Sequence, residues 1–164
     1  MEISSTTALI FLPFTLPICV WAAASDVSTM KIPNKAVVAL LLVFVVTGLF
    51  ALPFQEYLLR YLHIVAVLVI GFVLNQVRAL GAGDAKFAAA MAPFIDRGDG
   101  AIFLYLMTGV LIAALITHRT AKRISAIRTA VPNWESWTRK DFPMGLALGA
   151  ALVFYFIVGI FQPF

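Results

Sequence analysis

Apolar runs long enough to cross a lipid bilayer recur along almost the whole of this chain, and that feature decides most of what it can fold into. The runs cover residues 7–24, 36–52, 61–77, 85–95, 101–117 and 145–160, separated only by short polar stretches. A helix needs roughly 20 apolar residues to cover about 30 Å of hydrocarbon. Five of the six runs reach that length when their flanks are counted. The fourth is short, which predicts a thinned bilayer, a place inside the bundle or a re-entrant helix. With 62% of residues hydrophobic and 12% charged, the apolar surface exceeds what a soluble core can bury, since soluble domains are about half apolar and a quarter charged. The expected fold is all-α: a polytopic membrane protein of about six transmembrane helices, forming one membrane domain over residues 1–164. The first run has no basic residue ahead of it, so it is expected to stay as a helix and not to be removed as a signal peptide.

In such a chain the net charge of +4 reports orientation before it reports nucleic acid, and no nucleic-acid partner is expected. If all six runs cross, the odd-numbered loops hold ten of the twelve basic residues: Lys31, Lys35, Arg78, Lys86, Arg119, Lys122, Arg123, Arg128, Arg139 and Lys140. The even-numbered loops hold Arg60 and Arg97. This bias predicts extracytoplasmic termini and cytoplasmic first, third and fifth loops. The longest connection, 118–143, mixes cations with Trp134, Trp137 and Phe142. That composition suits either a topogenic loop or a substrate-docking segment in the headgroup layer, in contact with anionic lipid.

Two acids then require a reason. Asp26 stands at the end of the first run and Asp84 at the start of the fourth, both at the predicted cytoplasmic boundary, where placing a carboxylate within a span costs about 2.5–3.5 kcal/mol. Alone, either suits a helix cap or a solvated loop. As a pair at one depth they suggest more. Two adjacent carboxyls cannot both ionise cheaply, so they share a proton. One can then take a proton from an attacking water while the other donates to the developing oxyanion, and the pair later delivers a proton to the leaving amine. Gly81 and Gly83, just before Asp84, are expected to permit unusual backbone angles and close approach of an extended substrate. Pro33 biases Ile32 toward an extended conformation and sets the start of the second helix.

Gly81-x-Gly83-Asp84 resembles the GxGD motif of membrane aspartyl proteases, and Gly83-Asp84-x-Lys86-Phe87 is similar to the fuller form found in type IV prepilin peptidases. Asp26, followed by Ile32-Pro33-Asn34, resembles the leading Asp and IPN signature of that family in the small form of tight-adherence (Flp-type) pilus systems. Phe142-Pro143-Met144-Gly145, with Ala147 and Gly149, resembles a third and weaker family pattern. Ala82 and Phe87 depart from it, standing where the pattern has Gly and an aliphatic residue. The resemblance implies a single membrane peptidase domain in the bacterial inner membrane. It implies Asp26 and Asp84 as catalytic residues, with Ile32, Pro33, Asn34, Gly81, Gly83 and Lys86 as supporting motif residues. The substrate implied is a prepilin or pseudopilin, cut on the cytoplasmic side between a short basic leader and its apolar helix. The larger bifunctional members carry paired CxxC motifs, whereas this chain has one cysteine, Cys19, so no zinc-binding domain and no methylation are expected.

Neither a cofactor nor a metal is expected. His63 and His118 fall at opposite boundaries without acidic neighbours, and Cys19 suits packing. Asn75 and Gln76 suit interhelical hydrogen bonds or support of Asp84. Glu135 and Asp141 are candidates to meet the charge of a leader. A small proton-coupled transporter using the same acids is the alternative function, and a noncatalytic pilus-assembly subunit is a further one.

Overall fold

The computed structural model describes residues 1–162 of the chain. They form α1 (Ser5–Thr29), α2 (Asn34–Ala51), α3 (Phe54–Gln76), α4 (Ala82–Met91), α5 (Gly100–Arg123), the short α6 (Ser125–Ala130) and α7 (Met144–Phe161). Single 3-10 turns occur at Ala92–Phe94 and Glu135–Trp137. Among the described residues there is no strand. Five helices, α1, α2, α3, α5 and α7, are long and apolar enough to cross a membrane. The protein is therefore an all-α polytopic membrane protein.

The fourth segment departs from its neighbours in length. The 10 residues of α4 rise only about 15 Å, and a 3-10 turn at Pro93 carries the chain on. Its path still joins the two ends of the bundle. Near its start, α4 packs so closely on α3 that a Cβ on Gly71 would lie 2.8 Å from the Cβ of Ala85. Beyond its end, the Pro93 carbonyl accepts from Arg60 Nη1 at 3.3 Å, near the beginning of α3. The two helices are antiparallel, and a re-entrant path, which would return to the end it left, does not describe this segment.

The end where the α4–α5 loop emerges is tied by a buried polar cluster. Asp99 is fully buried and accepts from the backbone amides of Glu2 and Ile3 at 2.7 and 3.1 Å, and from the Tyr155 hydroxyl at 2.7 Å. The same hydroxyl accepts from the Asp96 amide at 3.0 Å. Gln162 Nε2 donates to the Ile3 carbonyl at 2.6 Å, so the beginning of α1 and the end of α7 share this end. Arg60 corrects an expectation here. It is not a loop cation, because α3 starts at Phe54, directly after Pro53; it is buried and paired with Glu56 and with Asp96 at 2.6 Å. Tyr155→Phe removes one donor and one acceptor from this buried cluster. It is expected to cost about 1–2 kcal/mol, read as a lower thermal midpoint of the detergent-solubilised protein.

Close backbone approach sets the α1–α7 pairing. Gly145 and Gly149 lie four residues apart on one face of α7. A Cβ on Gly149 would lie 2.8 Å from the Cys19 carbonyl, and one on Gly159 would lie 2.9 Å from Ile3 Cγ2. Buried Cys19 is part of this packing. Among the described residues no glycine has positive φ, so the expectation of unusual glycine backbone angles at Gly81 and Gly83 is not met. The left-handed residues are instead Met30 (φ 53) and Arg78 (φ 60), each turning the chain out of a helix and into a motif loop. The long connection is also partly helical. α5 runs on to Arg123, and His118 within it stacks on Trp137 at 5.4 Å between ring centroids, with Phe142 edge-on at 5.8 Å.

Candidate active site

Asp26 lies inside α1, one turn before its end, and is 5% exposed. Its Oδ2 accepts from the Gly145 amide at 2.7 Å. The partner is available because α7 starts immediately after Pro143, and the first amides of a helix have no acceptor within it. The positive end of the α7 dipole favours a carboxylate there. A Cβ on Gly145 would lie 2.9 Å from Asp26 Cβ, 3.0 Å from its Oδ2 and 3.0 Å from Ile32 Cδ1. Only glycine therefore lets the amide reach the acid.

Asp84 is half-buried in the first turn of α4, outside the five long helices. Gly81 caps that helix with φ −66 and ψ 145, and a Cβ on it would lie 2.5 Å from Asp84 Oδ2. The missing side chain leaves room for the carboxyl to fold back over the helix start. Burial pushes the Asp84 carboxyl up to about 6; the nearby Asp26 adds to the rise, and the Gly81 amide opposes it. Among the described residues neither aspartate is ion-paired.

Both acids line one cavity of about 760 Å³, open at the end of the bundle opposite Asp99. Its walls are the two motif loops, with Lys31, Ile32 and Asn34 from the first and Gly81, Gly83 and Lys86 from the second. Pro33 sits behind the wall as the cap of α2, with φ −64 and ψ 134. The first loop is held in place by the Met30 amide on the Asp26 carbonyl at 2.8 Å and by Ser25 Oγ on the Lys31 carbonyl at 3.0 Å. The loops meet where Gly83 faces Ile32, and a Cβ there would make ordinary contact at 3.7 Å.

Sequence reasoning missed part of this cavity. Arg78 and Arg139 line it, whereas the sequence reading gives Arg78 only as topogenic charge and Arg139 only as part of the 118–143 connection. The Gly145 amide was missed as a ligand of Asp26; the signal for it was a proline marking the helix start two residues earlier. Asn75 also lines the cavity and supports the second loop through Nδ2 on the Leu80 carbonyl at 2.8 Å, whereas Gln76 is exposed and does not. Asp141 reaches the cavity, but Glu135 stands outside it, paired with Arg139 at 3.2 Å. His63 contacts the Ala92 carbonyl at 3.4 Å and His118 is stacked on Trp137, so the two histidines are not brought together.

The arrangement is two carboxyl groups from different helices, one with its proton affinity raised by burial and further by the other, in a cavity that admits water and has loop backbone along its walls. A model of the type IV leader peptidase family matches residues 13–118, a stretch that holds both aspartates and both motif loops. Comparison with curated proteins and with solved structures gave no match. Covering more than half of a chain built from membrane-length apolar helices, this match shows that the protein belongs to the type IV leader peptidase family.

Proposed function

We propose that this protease is a membrane aspartyl endopeptidase, a single domain over the whole chain, that removes the short basic leader of Flp-like prepilins or pseudopilins. Its catalytic pair is Asp26 and Asp84, and it acts at the cytoplasmic face of the bacterial inner membrane. The observation that carries the reading is that two acids 58 positions apart in the sequence line the same cavity at one end of an apolar bundle. The face is argued from charge. Ten of the twelve Lys and Arg residues belong to the loops and helix ends on the aspartate side, and such an excess marks the cytoplasmic end.

In the working state the pair holds one proton. The ionised carboxylate accepts a proton from water as it attacks the scissile carbonyl. The protonated partner donates to the oxyanion; as the C–N bond breaks, the carboxyl that took the water's proton passes it to the leaving amine, the new N-terminus of the pilin, and the partner regains a proton from the gem-diol hydroxyl. No cofactor takes part in these steps. Ile32 and Gly83 form the wall along which an extended peptide can lie, and Asn34 offers it an amide; Lys86 and Lys31 carry charge at the cavity.

The raised affinity of Asp84 predicts the pH profile. A carboxyl shifted up to about 6 keeps its proton below that pH and loses it above, so the singly protonated pair is depleted as the solution turns alkaline. The kcat/KM for prepilin is expected to fall by about tenfold per pH unit above pH 6, with an acid limb lower down where the second proton binds. An alkaline limb displaced beyond pH 8 would sink the shared-proton reading. The direct test is mass analysis of the N-terminus of a Flp-type prepilin co-expressed with the wild-type protein. Loss of the leader supports the reading, and the mass of the product also reports whether it is methylated. A leader retained across several pilins would favour proton-coupled transport by the same acids.

A further inference from the structure

The bundle covers α4 incompletely at Ala88, which is half-buried between α3 and α5. α5 packs mainly on α7 and buries only Phe103 and His118, while α3 packs on α4. Between them runs an apolar groove of about 500 Å³. Its floor is Ala88, Met91 and Ala92; its walls are Val67 of α3 and Leu104 and Met107 of α5. Asp84, Ala88 and Met91 follow the i, i+4, i+7 spacing of a single helix face. The floor of the groove is thus the continuation, down the same face of α4, of the aspartate in the cavity.

We infer that this groove seats the apolar helix of the prepilin, so that the peptide bond just before that helix meets Asp84. The inference rests on the proposed leader-peptidase reading and names where its substrate lies. Two further features favour a helix as the occupant. The half-buried floor residue Ala88 is small, which lets a second helix backbone approach closely in a membrane. The groove is also open sideways: Leu104 on its wall is 66% exposed, so a membrane-embedded helix enters without leaving the bilayer. A second apolar groove, of about 520 Å³ and lined by Leu16, Val20, Trp134 and Val153, lies among α1, α5 and α7 and includes neither Asp26 nor Asp84, and it serves as the internal control.

The test places a photo-crosslinking residue at Leu104, Met107 or Val20 of the full-length protein carrying Asp26→Asn, in membranes with a prepilin. Adducts with the pilin helix are expected from Leu104 and Met107 and not from Val20. Kinetically, Ala88→Leu fills the floor and is expected to raise KM for prepilin about tenfold with kcat held within about twofold. Leu104→Trp, at an exposed position, checks that effect without changing the packed interior, and Val20→Phe is expected to behave as wild type. Adducts from Val20 alone, lipid adducts alone at Leu104, or an unchanged KM in both groove variants while the wild type cleaves, would each overturn the groove and leave the peptidase reading intact. A wild-type protein that leaves the leader in place overturns the reading and the groove with it.

Discussion

Replacing Asp26 or Asp84 by Asn is expected to slow leader release by about 10³-fold or more, and the double replacement to slow it no further. Asn preserves the shape of the side chain but holds no exchangeable acid proton and is no base, so a pair that works by sharing one proton is lost when either member changes. Non-additivity is the sharper part of the prediction. Two acids with separate tasks would give losses that multiply, whereas two halves of one device fail together. Folding is expected to survive both changes, because an amide oxygen at position 26 can still accept from the Gly145 amide, and neutralising an unpaired half-buried carboxyl removes a desolvation cost. The measurement is the rate of appearance of mature pilin by mass, with the thermal midpoint of each variant alongside. Cleavage within tenfold of wild type in either single variant would remove the catalytic assignment.

Gly145→Ala is expected to lower kcat by about 10²-fold although it adds a single methyl group far from Asp26 in sequence. The new Cβ would sit 2.9 Å from Asp26 Cβ and 3.0 Å from its Oδ2. Neither neighbour is the free end of a flexible chain: the first is anchored to the α1 backbone, and the second is the atom that must stay where it is. Relief requires α7 to slide from α1 or the carboxyl to rotate away from the amide, and each displaces the acid from its partner across the cavity. Adjustment by Ile32 Cδ1, the third near contact at 3.0 Å, relieves only the loop side. The signature is a fall in kcat with protein level and membrane insertion unchanged. A variant with wild-type kcat would show that Asp26 is not placed by α7.

How much of this was written in the chain differs between its parts. The helical class, the membrane setting and the two acids were legible because each is local. A run of apolar residues needs no partner to be recognised, and a carboxylate beside such a run is costly wherever the run ends up. The short fourth segment was also visible, but its path was not, because a ten-residue helix is consistent with re-entry or passage until Gly71 and Arg60 fix its two ends against α3. Arg60 itself was misplaced for the same reason. A cation near an apolar run reads as the start of a loop, and only its ion pairs with Glu56 and Asp96 account for its place inside a helix.

The cavity shows the division most clearly. Local sequence contained both motif loops and the glycines beside Asp84, yet it suggested that those glycines serve unusual backbone angles, when neither has positive φ and Gly81 serves to admit the Asp84 carboxyl. Which atom a glycine admits depends on residues distant in sequence. Gly145 reaches Asp26 across 119 positions, and no pattern within a single segment encodes that pairing. Sequence by itself determined that this chain is a membrane helix bundle with two acids at one boundary, because burial cost and helix period act within a segment. Tertiary structure alone decided that α7 supplies the amide for one acid, that α4 carries the other into the same cavity, and that Arg78, Arg139 and Asp141 join them. Those are properties of how helices pack, set by close contacts between residues that share no local pattern.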